Sequence, residues 1–320
     1  TGEEGEVDIF GADVIHMAAL ADKGCIRLFQ EDDLIDFLSA PAETCRLVPI
    51  EKQAGYYGRP FSSNVGMLFA RSGAKHSRAE FKLPDLLRAE TKAGLTWTAQ
   101  LSTELSDHGE GLLCNFFEHA VAVDGCESAI SSTGRPSQEV ELWGNALEVI
   151  RSARKGARLK PCEDDTGALA LFNAGEVEFM RNWPTFLHRS IGTAKMMPAE
   201  LTSAGTGILG GINLAITGKT TRDQEAREFI RFLTGVEAQK IVALYGLPPT
   251  RSEIYDNTDL IPLVPHLGVL KQSIQAARRR PVTPRYEEFS KAMVAVIRRC
   301  LGADGETINA GDIREWERFL

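Results

Sequence analysis

The chain lacks most of the signatures that would make it an enzyme or a membrane protein. No window of its 320 residues approaches the roughly 18 to 20 consecutive apolar residues of a membrane span. It contains no G-x-S-x-G nucleophile elbow, no Walker phosphate loop and no H-E-x-x-H pair. Its six histidines are far apart, and none stands with a carboxylate at a metal-binding spacing. The six cysteines, at 25, 45, 114, 126, 162 and 300, include no C-x-x-C pair. They read either as small buried hydrophobes in a reducing compartment or as at most three disulfides in an oxidising one, and the lack of pattern leans towards reduced thiols. No cofactor, metal or catalytic residue is therefore assigned. An excess of basic charge is also absent. A net charge of −8 and a pI near 5.4 argue against a nucleic-acid or anionic-membrane partner. The start, TGEEGEVDIF, has no basic flank, apolar run or cleavage site, and its first residue is Thr. A processed or excised piece is expected.

What the chain does have is the composition of a folded protein, 43% hydrophobic and 25% charged, at a length that suits two domains. The most organised stretch runs from Gly207 to Arg251. An apolar, glycine-punctuated strand, Ile208 to Ile216, leads to a helix beginning near Thr221 or Arg222. Ala226, Phe229, Ile230 and Leu233 fall at helical spacing, which predicts one buried face. A second segment, Glu237 to Leu244, is read with Ile241 and Leu244 inward. Gly246 is placed for a helix C-cap, and Pro248-Pro249 forces an extended exit.

Elsewhere, a short strand at Val7 to Phe10 precedes a helix over Val14 to Lys23. Val65 to Ala70 is apolar on both alternating faces, as in a buried strand. Helices are predicted from Leu112 to before Asp124, from Glu139 to Ala153 with Leu142, Ala146, Val149 and Ile150 on one face, and after Glu163-Asp164-Asp165 with Ala168, Leu171 and Phe172 inward. A strand from Val177 ends in Asn182-Trp183-Pro184. Residues 262 to 279 form a helix-rich connector, a helix runs from about Glu287 to Leu301, and Ile308 to Leu320 is a short amphipathic helix. The carboxylate runs at 31 to 33 and 163 to 165 could in principle supply a glycosidase acid–base pair. Such a pair needs a defined separation, and charge runs are more often helix caps or solvated faces.

Several segments together resemble a known family. "GG-I-N-L-A-I", "E-A-R-E-F-I-R-F-L-T", "E-A-Q" and "G-L-P-P-T-R" follow one another between Gly210 and Arg251. Asn182-Trp183-Pro184, Arg280-Pro281-Val282-Thr283-Pro284 with Tyr286, and Glu110-Gly111-Leu112-Leu113-Cys114-Asn115-Phe116-Phe117-Glu118 add to them. The set is similar to the extracellular sugar-binding proteins of ATP-driven importers (solute-binding protein family 1), most like the trehalose/maltose-binding subgroup.

The resemblance implies an α/β, two-lobe, periplasmic-binding-protein-like fold of type II. It places residues 1–66 and 209–265 in a first lobe and 67–208 and 266–320 in a second, with hinges near Met67, Ile212 and 262 to 280. Family members carry two further strands and helices ahead of Val7. The first lobe is thus expected to lack its N-terminal strands, which are expected upstream in the same gene product or in another chain. The implied function is non-catalytic binding of an oligosaccharide in an interlobe cleft, outside the cytoplasm as a lipoprotein or periplasmic protein. The protein would be a monomer that delivers the sugar to the permease subunits of an ABC importer.

The implied ligand residues are Asp13, His16, Asn64, Asp164, Asp165, Trp183, Gly211, Asn213 and Arg280. Such a set suits sugars, whose hydroxyls need charged or amide partners and whose C–H faces pack on aromatic rings. Each residue also has a plainer reading. Asp13, Asp164 and Asp165 are candidate helix caps, Asn64 a turn residue, Trp183 core, and Arg280 a partner for Glu287 or Glu288. His16 and Ile212 stand where the family usually has aromatics. An alternative is a cytoplasmic ligand-sensing or interaction module with a fused effector domain; an enzyme ranks third.

Overall fold

The strand Met67–Arg71 is an interior strand of its sheet, and its sequence fits that place. Met67, Leu68, Phe69 and Ala70 are all buried, so both faces of the strand are covered, as an unbroken apolar run requires. It belongs to a computed structural model that describes residues 7–29, 34–71, 83–88, 95–104, 109–124, 129–131, 133–190, 194–198, 200–202, 205–302 and 305–320. The carboxylate run at 31 to 33 and Cys126 lie outside the described residues.

The backbone divides into two compact units. The first comprises residues 1–64, 209–275 and 282–286, and the second 65–208, 276–281 and 287–320. The sequence reading ended the first unit at 265, whereas this division keeps nearly all of the helix Leu267–Ala276 with it.

The long strand Gly205–Ile216 gives its residues from 209 onward to the first unit, where it pairs antiparallel with Ile9–Asp13, with Phe10 opposite Ala215 and Asp13 opposite Ile212. It also pairs with Arg59–Val65. One face of this sheet packs Ala12 and Ala215 with Met17, Ala18 and Ala21 of the helix Met17–Asp22. The other packs Leu214 and Ile216 with Phe29 and with Ala226 and Ile230 of the helix Asp223–Leu233. The helix expected over Val14 to Lys23 is in fact a 3-10 turn, Val14–His16, followed by Met17–Asp22.

The inward stripe after residue 221 is narrower than the spacing predicted. Ala226 and Ile230 are buried, but Phe229 is 52% exposed. In the helix Val236–Leu244 the buried residues are Gln239, Val242 and Ala243, while Ile241 and Leu244 face outward at 56% and 46% exposure. Short helices over a small sheet touch it along one row of side chains, so apolar residues on the flanks stay in solvent. Gly246, at φ +79°, takes the left-handed turn expected of the helix terminus.

The second unit holds a five-stranded sheet in the order Leu159–Pro161, Trp97–Ala99, Phe179–Asn182, Met67–Arg71, Ala194–Pro198. Trp97–Ala99 runs parallel to both its neighbours, and Met67–Arg71 antiparallel to both of its own. The helices Glu110–Asp124 and Val140–Lys155 pack through Phe116 and Trp143, whose rings stack at 5.9 Å, and Trp316 meets Trp143 edge-on at 6.2 Å. Val149 and Leu171, both expected inward, are only half-buried; Trp143 and Leu147, and Leu169, take the inner positions. The helix Ala310–Glu317 opens with a capping box between Asn309 and Asp312.

Candidate functional site

Three of the expected ligand residues lie within one short stretch of the second unit and the strand beside it. Asp164 is the N-cap of the helix Asp165–Asn173; its side chain accepts from the Gly167 backbone N–H at 2.6 Å. It is exposed, and its geometry is that of a cap. Asp165 points elsewhere. It is half-buried and its carboxylate accepts from the Gln100 side-chain amide, while its carbonyl oxygen accepts from Asn182 Nδ2 at 2.9 Å. Burial raises the Asp165 pKa above the usual carboxylate value, with the nearby Arg181 charge opposing. The two neighbouring acids therefore separate by role: one closes a helix, the other is an acceptor in a partly dry polar cluster.

Trp183 follows the strand Phe179–Asn182. Its backbone N–H donates to Asn182 Oδ1 at 2.8 Å, and Pro184 starts the 3-10 helix Pro184–Arg189 beyond it. Residues two apart on extended backbone share a face, which brings Arg181 beside Trp183. The Arg181 guanidinium carbon lies 4.2 Å from the Trp183 ring centroid. Trp97, Trp143 and Trp316 are 0% exposed and belong to the core, whereas Trp183 is half-buried. Of the four tryptophans it is the one with a ring partly available to a ligand.

Two charged residues that the motif reading passed over anchor this cluster. Glu118 receives Arg181 through both oxygens, Nε to Oε2 at 2.6 Å and Nη2 to Oε1 at 2.7 Å, with the side chains 0% and 1% exposed. The signal was in the sequence: Arg181 interrupts the apolar strand, and Glu118 sits among Phe116, Phe117, Ala120 and Val121. A charge at a core position calls for an opposite one.

Arg280 also lies in the second unit, but its partner is Glu110, not Glu287 or Glu288. Its Nη1 donates to Glu110 Oε1 at 2.6 Å, and Ser290 Oγ donates to Glu110 Oε2 at 2.8 Å. The Arg280 side chain is 5% exposed, so the motif arginine is built into the scaffold.

In the first unit Asp13 ends its strand and accepts from the Ile15 backbone N–H at 3.1 Å, capping the 3-10 turn. His16 is exposed at the end of that turn. Asp13 sits opposite Ile212, which is 37% exposed, so Asp13, Ile212 and Gly211 share one end of the strand pair. Gly211 has φ +144°, and a Cβ there would lie 2.5 Å from the Ser62 carbonyl oxygen. It is a close-packing glycine. Asn64 is half-buried, and its Oδ1 has no hydrogen-bond partner among the described residues. Asn213 is the clearest departure from expectation: it is 1% exposed and its Nδ2 donates to Thr44 Oγ1 at 3.0 Å.

Among the described residues no group of three or more His, Cys, Asp or Glu is placed to hold a metal ion. No helix among them is long and apolar enough to cross a membrane.

The model of a family described as bacterial extracellular solute-binding protein matches residues 1–263. A probable ABC transporter-binding protein of Deinococcus radiodurans is 28% identical over 208 residues, 59% of this chain and 48% of the relative, so the match spans about half of that protein's length. Maltose-bound MalE3 of T. maritima superposes with a TM-score of 0.77 at 22% identity, over 98% of this chain and 84% of that one. An ABC transporter solute-binding protein of Agrobacterium radiobacter K84 in complex with ribitol gives 0.75 at 16% identity, over 98% and 84%. The α/β, periplasmic-binding-protein-like fold expected from the sequence is the fold these structures share with the chain.

Proposed function

The chain belongs to the bacterial extracellular solute-binding proteins, and we propose that it binds a trehalose- or maltose-like oligosaccharide without transforming it. Delivery to the permease subunits of an ABC importer, as a monomer outside the cytoplasm, is part of the same reading. The observation that carries it is the placing together, in the second unit, of a half-buried Trp183 ring and the half-buried Asp165 carboxylate, which the Trp183 side chain hydrogen-bonds. A sugar offers an apolar C–H face to the first and hydroxyl donors to the second.

In the first unit this reading assigns His16 and Asn64 to ligand hydroxyls, the buried Asn64 Oδ1 without a partner among the described residues being an acceptor of the required kind, while Asp13, like Asp164, is engaged as a cap. Asp164, Gly211, Asn213 and Arg280 act as scaffold in this reading, because each is committed to a cap, a close backbone approach or a buried bond. The relatives named above were solved with maltose and with ribitol, a disaccharide and a polyol, which supports a polyhydroxylated ligand.

Calorimetric titration of the protein with trehalose, maltose and ribitol tests the reading. Binding of a disaccharide that is weakened at least about tenfold by Trp183→Ala is the expected result. Absence of heat with every sugar, or an unchanged Trp183→Ala variant, overturns it.

A further inference from the structure

Ligand binding as described leaves the most deeply buried ion pair of the second unit without a role. A buried ion pair is a weak source of net stability, since apolar residues of the same volume usually serve as well. An apolar pair, however, could neither attract an aromatic ring through a cation nor accept a backbone N–H. The Glu118–Arg181 pair does both.

Its geometry joins four segments of this unit. Glu118 Oε1 accepts from Arg181 Nη2 at 2.7 Å and also from the Ile208 backbone N–H at 2.9 Å. Gly66 N–H donates to the Ile208 carbonyl at 3.2 Å. A Cβ on Gly66 would lie 2.0 Å from Glu118 Oε1, and one on Gly207 would lie 2.3 Å from the Gly66 carbonyl oxygen. Both glycines are therefore needed for the strands to come this close to the carboxylate. Residues 65 and 208 are also the points at which the chain enters and leaves the long first segment of this unit. On its other side the guanidinium carbon lies over the Trp183 ring, 4.2 Å from its centroid.

We propose that Arg181 is a positioning residue for Trp183: it fixes the plane of the stacking ring, and Glu118 ties that ring to the paired backbone at Gly66 and Ile208. A ligand stacked on the opposite face of Trp183 is then held by a ring whose orientation is set before binding, and any tilt of that ring is felt at Ile208 through one shared carboxylate. This rests on the reading of Trp183 as the ligand-stacking residue.

The test uses the full chain and the emission of Trp183, obtained by subtracting the spectrum of Trp183→Phe. The other three tryptophans are 0% exposed, so acrylamide quenching isolates the fourth. Arg181→Lys keeps the charge facing Glu118 but removes the planar guanidinium. The expected result is a ligand-free protein with unchanged far-ultraviolet circular dichroism, red-shifted and more quenchable Trp183 emission, and maltose affinity lower by about tenfold. Trp183 emission and quenching at wild-type values in ligand-free Arg181→Lys overturn the proposal. If that variant does not fold, the double variant Glu118→Gln with Arg181→Met, which strands no buried charge, is read against the same outcomes. If neither folds, the pair serves stability and the proposal falls. If wild-type protein binds neither maltose, trehalose nor ribitol, the sugar reading fails, and the ligand-free emission still decides whether Arg181 positions the ring.

Discussion

Asn213 donates through its side-chain amide to the Thr44 hydroxyl at 3.0 Å inside the first unit, and the Thr44 hydroxyl in turn donates to the Pro41 carbonyl at 2.6 Å. That chain of bonds joins the long strand to the helix Ser39–Thr44 and leaves Asn213 no freedom to meet a ligand. Replacing one partner of a buried hydrogen bond strands the other. Asn213→Ala should therefore lower stability by about 1–2 kcal/mol in urea denaturation while sugar affinity stays at the wild-type value. A loss of affinity with stability intact would return Asn213 to the binding site.

Arg280 makes the same point in the second unit, more strongly because a charge is involved. Its guanidinium is buried against Glu110, whose other oxygen is held by Ser290. Glu110→Gln keeps the shape and removes the charge that balances Arg280. We expect a loss of about 2–3 kcal/mol, read from denaturation monitored by Trp143 and Trp316 fluorescence, which reports this unit. A change below about 0.5 kcal/mol would mean that the motif arginine is solvated in solution.

The order of strands and helices was legible because it depends on local pattern: apolar runs, helical spacing, glycine and proline stops. Which residues form the site was less so, because that depends on pairings far apart in sequence. Glu118 and Arg181 are separated by 63 positions and Glu110 and Arg280 by 170, and no local spacing links them. The motif located Trp183 and Arg280 equally well, yet only one keeps a partly open side chain. Motif membership marks a residue that the fold uses, and it does not distinguish scaffold from surface. The outward Phe229, Ile241 and Leu244 show the converse limit: helical periodicity finds an apolar stripe but not how wide a strip of it the sheet can cover.

That uncovered strip has a measurable consequence. Phe229, Phe232, Ile241 and Leu244, on two successive helices of the first unit, and Tyr245, which caps the second, are all at least 46% exposed. Exposed apolar groups of this size bind hydrophobic dyes and promote association. Phe232→Lys, at a position 69% exposed, should reduce dye fluorescence and concentration-dependent light scattering with a stability change within about 0.5 kcal/mol. A large loss of stability would show that Phe232 is packed in solution.

Gly207 and Gly66 give a steric prediction. With its Cβ 2.3 Å from the Gly66 carbonyl oxygen, Gly207→Ala cannot be accommodated unless one strand moves, because the obstructing atom is backbone. The expected cost is about 2–4 kcal/mol, typical of overpacking at a rigid site. Gly144→Ala, where a new Cβ meets nothing within 4 Å, is the matched control and should leave stability unchanged or slightly raised, as alanine favours the helix. Equal melting temperatures for the two variants would contradict the close strand approach.

His119 supplies the pH dependence. It is fully buried; its Nδ1 lies 2.7 Å from the Asn115 carbonyl oxygen, and Trp97 Nε1–H points at its Nε2 at 3.4 Å. Only the tautomer with the proton on Nδ1 satisfies both contacts, since the carbonyl can only accept and the indole can only donate. Protonating Nε2 would set one N–H against another. Burial accordingly pushes the imidazole pKa down from 6.5 to about 4. Below 6.5 the unfolded chain takes up a proton that the folded chain refuses until about pH 4, so stability rises with pH across this window and is lost as pH falls through it. The full loss is about 3 kcal/mol. Asp165 acts in the opposite sense: its raised pKa means that the folded protein holds that proton more tightly, so acidification relieves a cost there. The two are separated by comparing wild type with His119→Gln in urea at steps between pH 7 and 4. The variant, which carries no titrating ring, should start less stable at pH 7 and lose less on acidification, so that the two curves converge near pH 4. Curves that stay parallel down to pH 4 would show that His119 takes up its proton at the same pH in the folded and the unfolded chain.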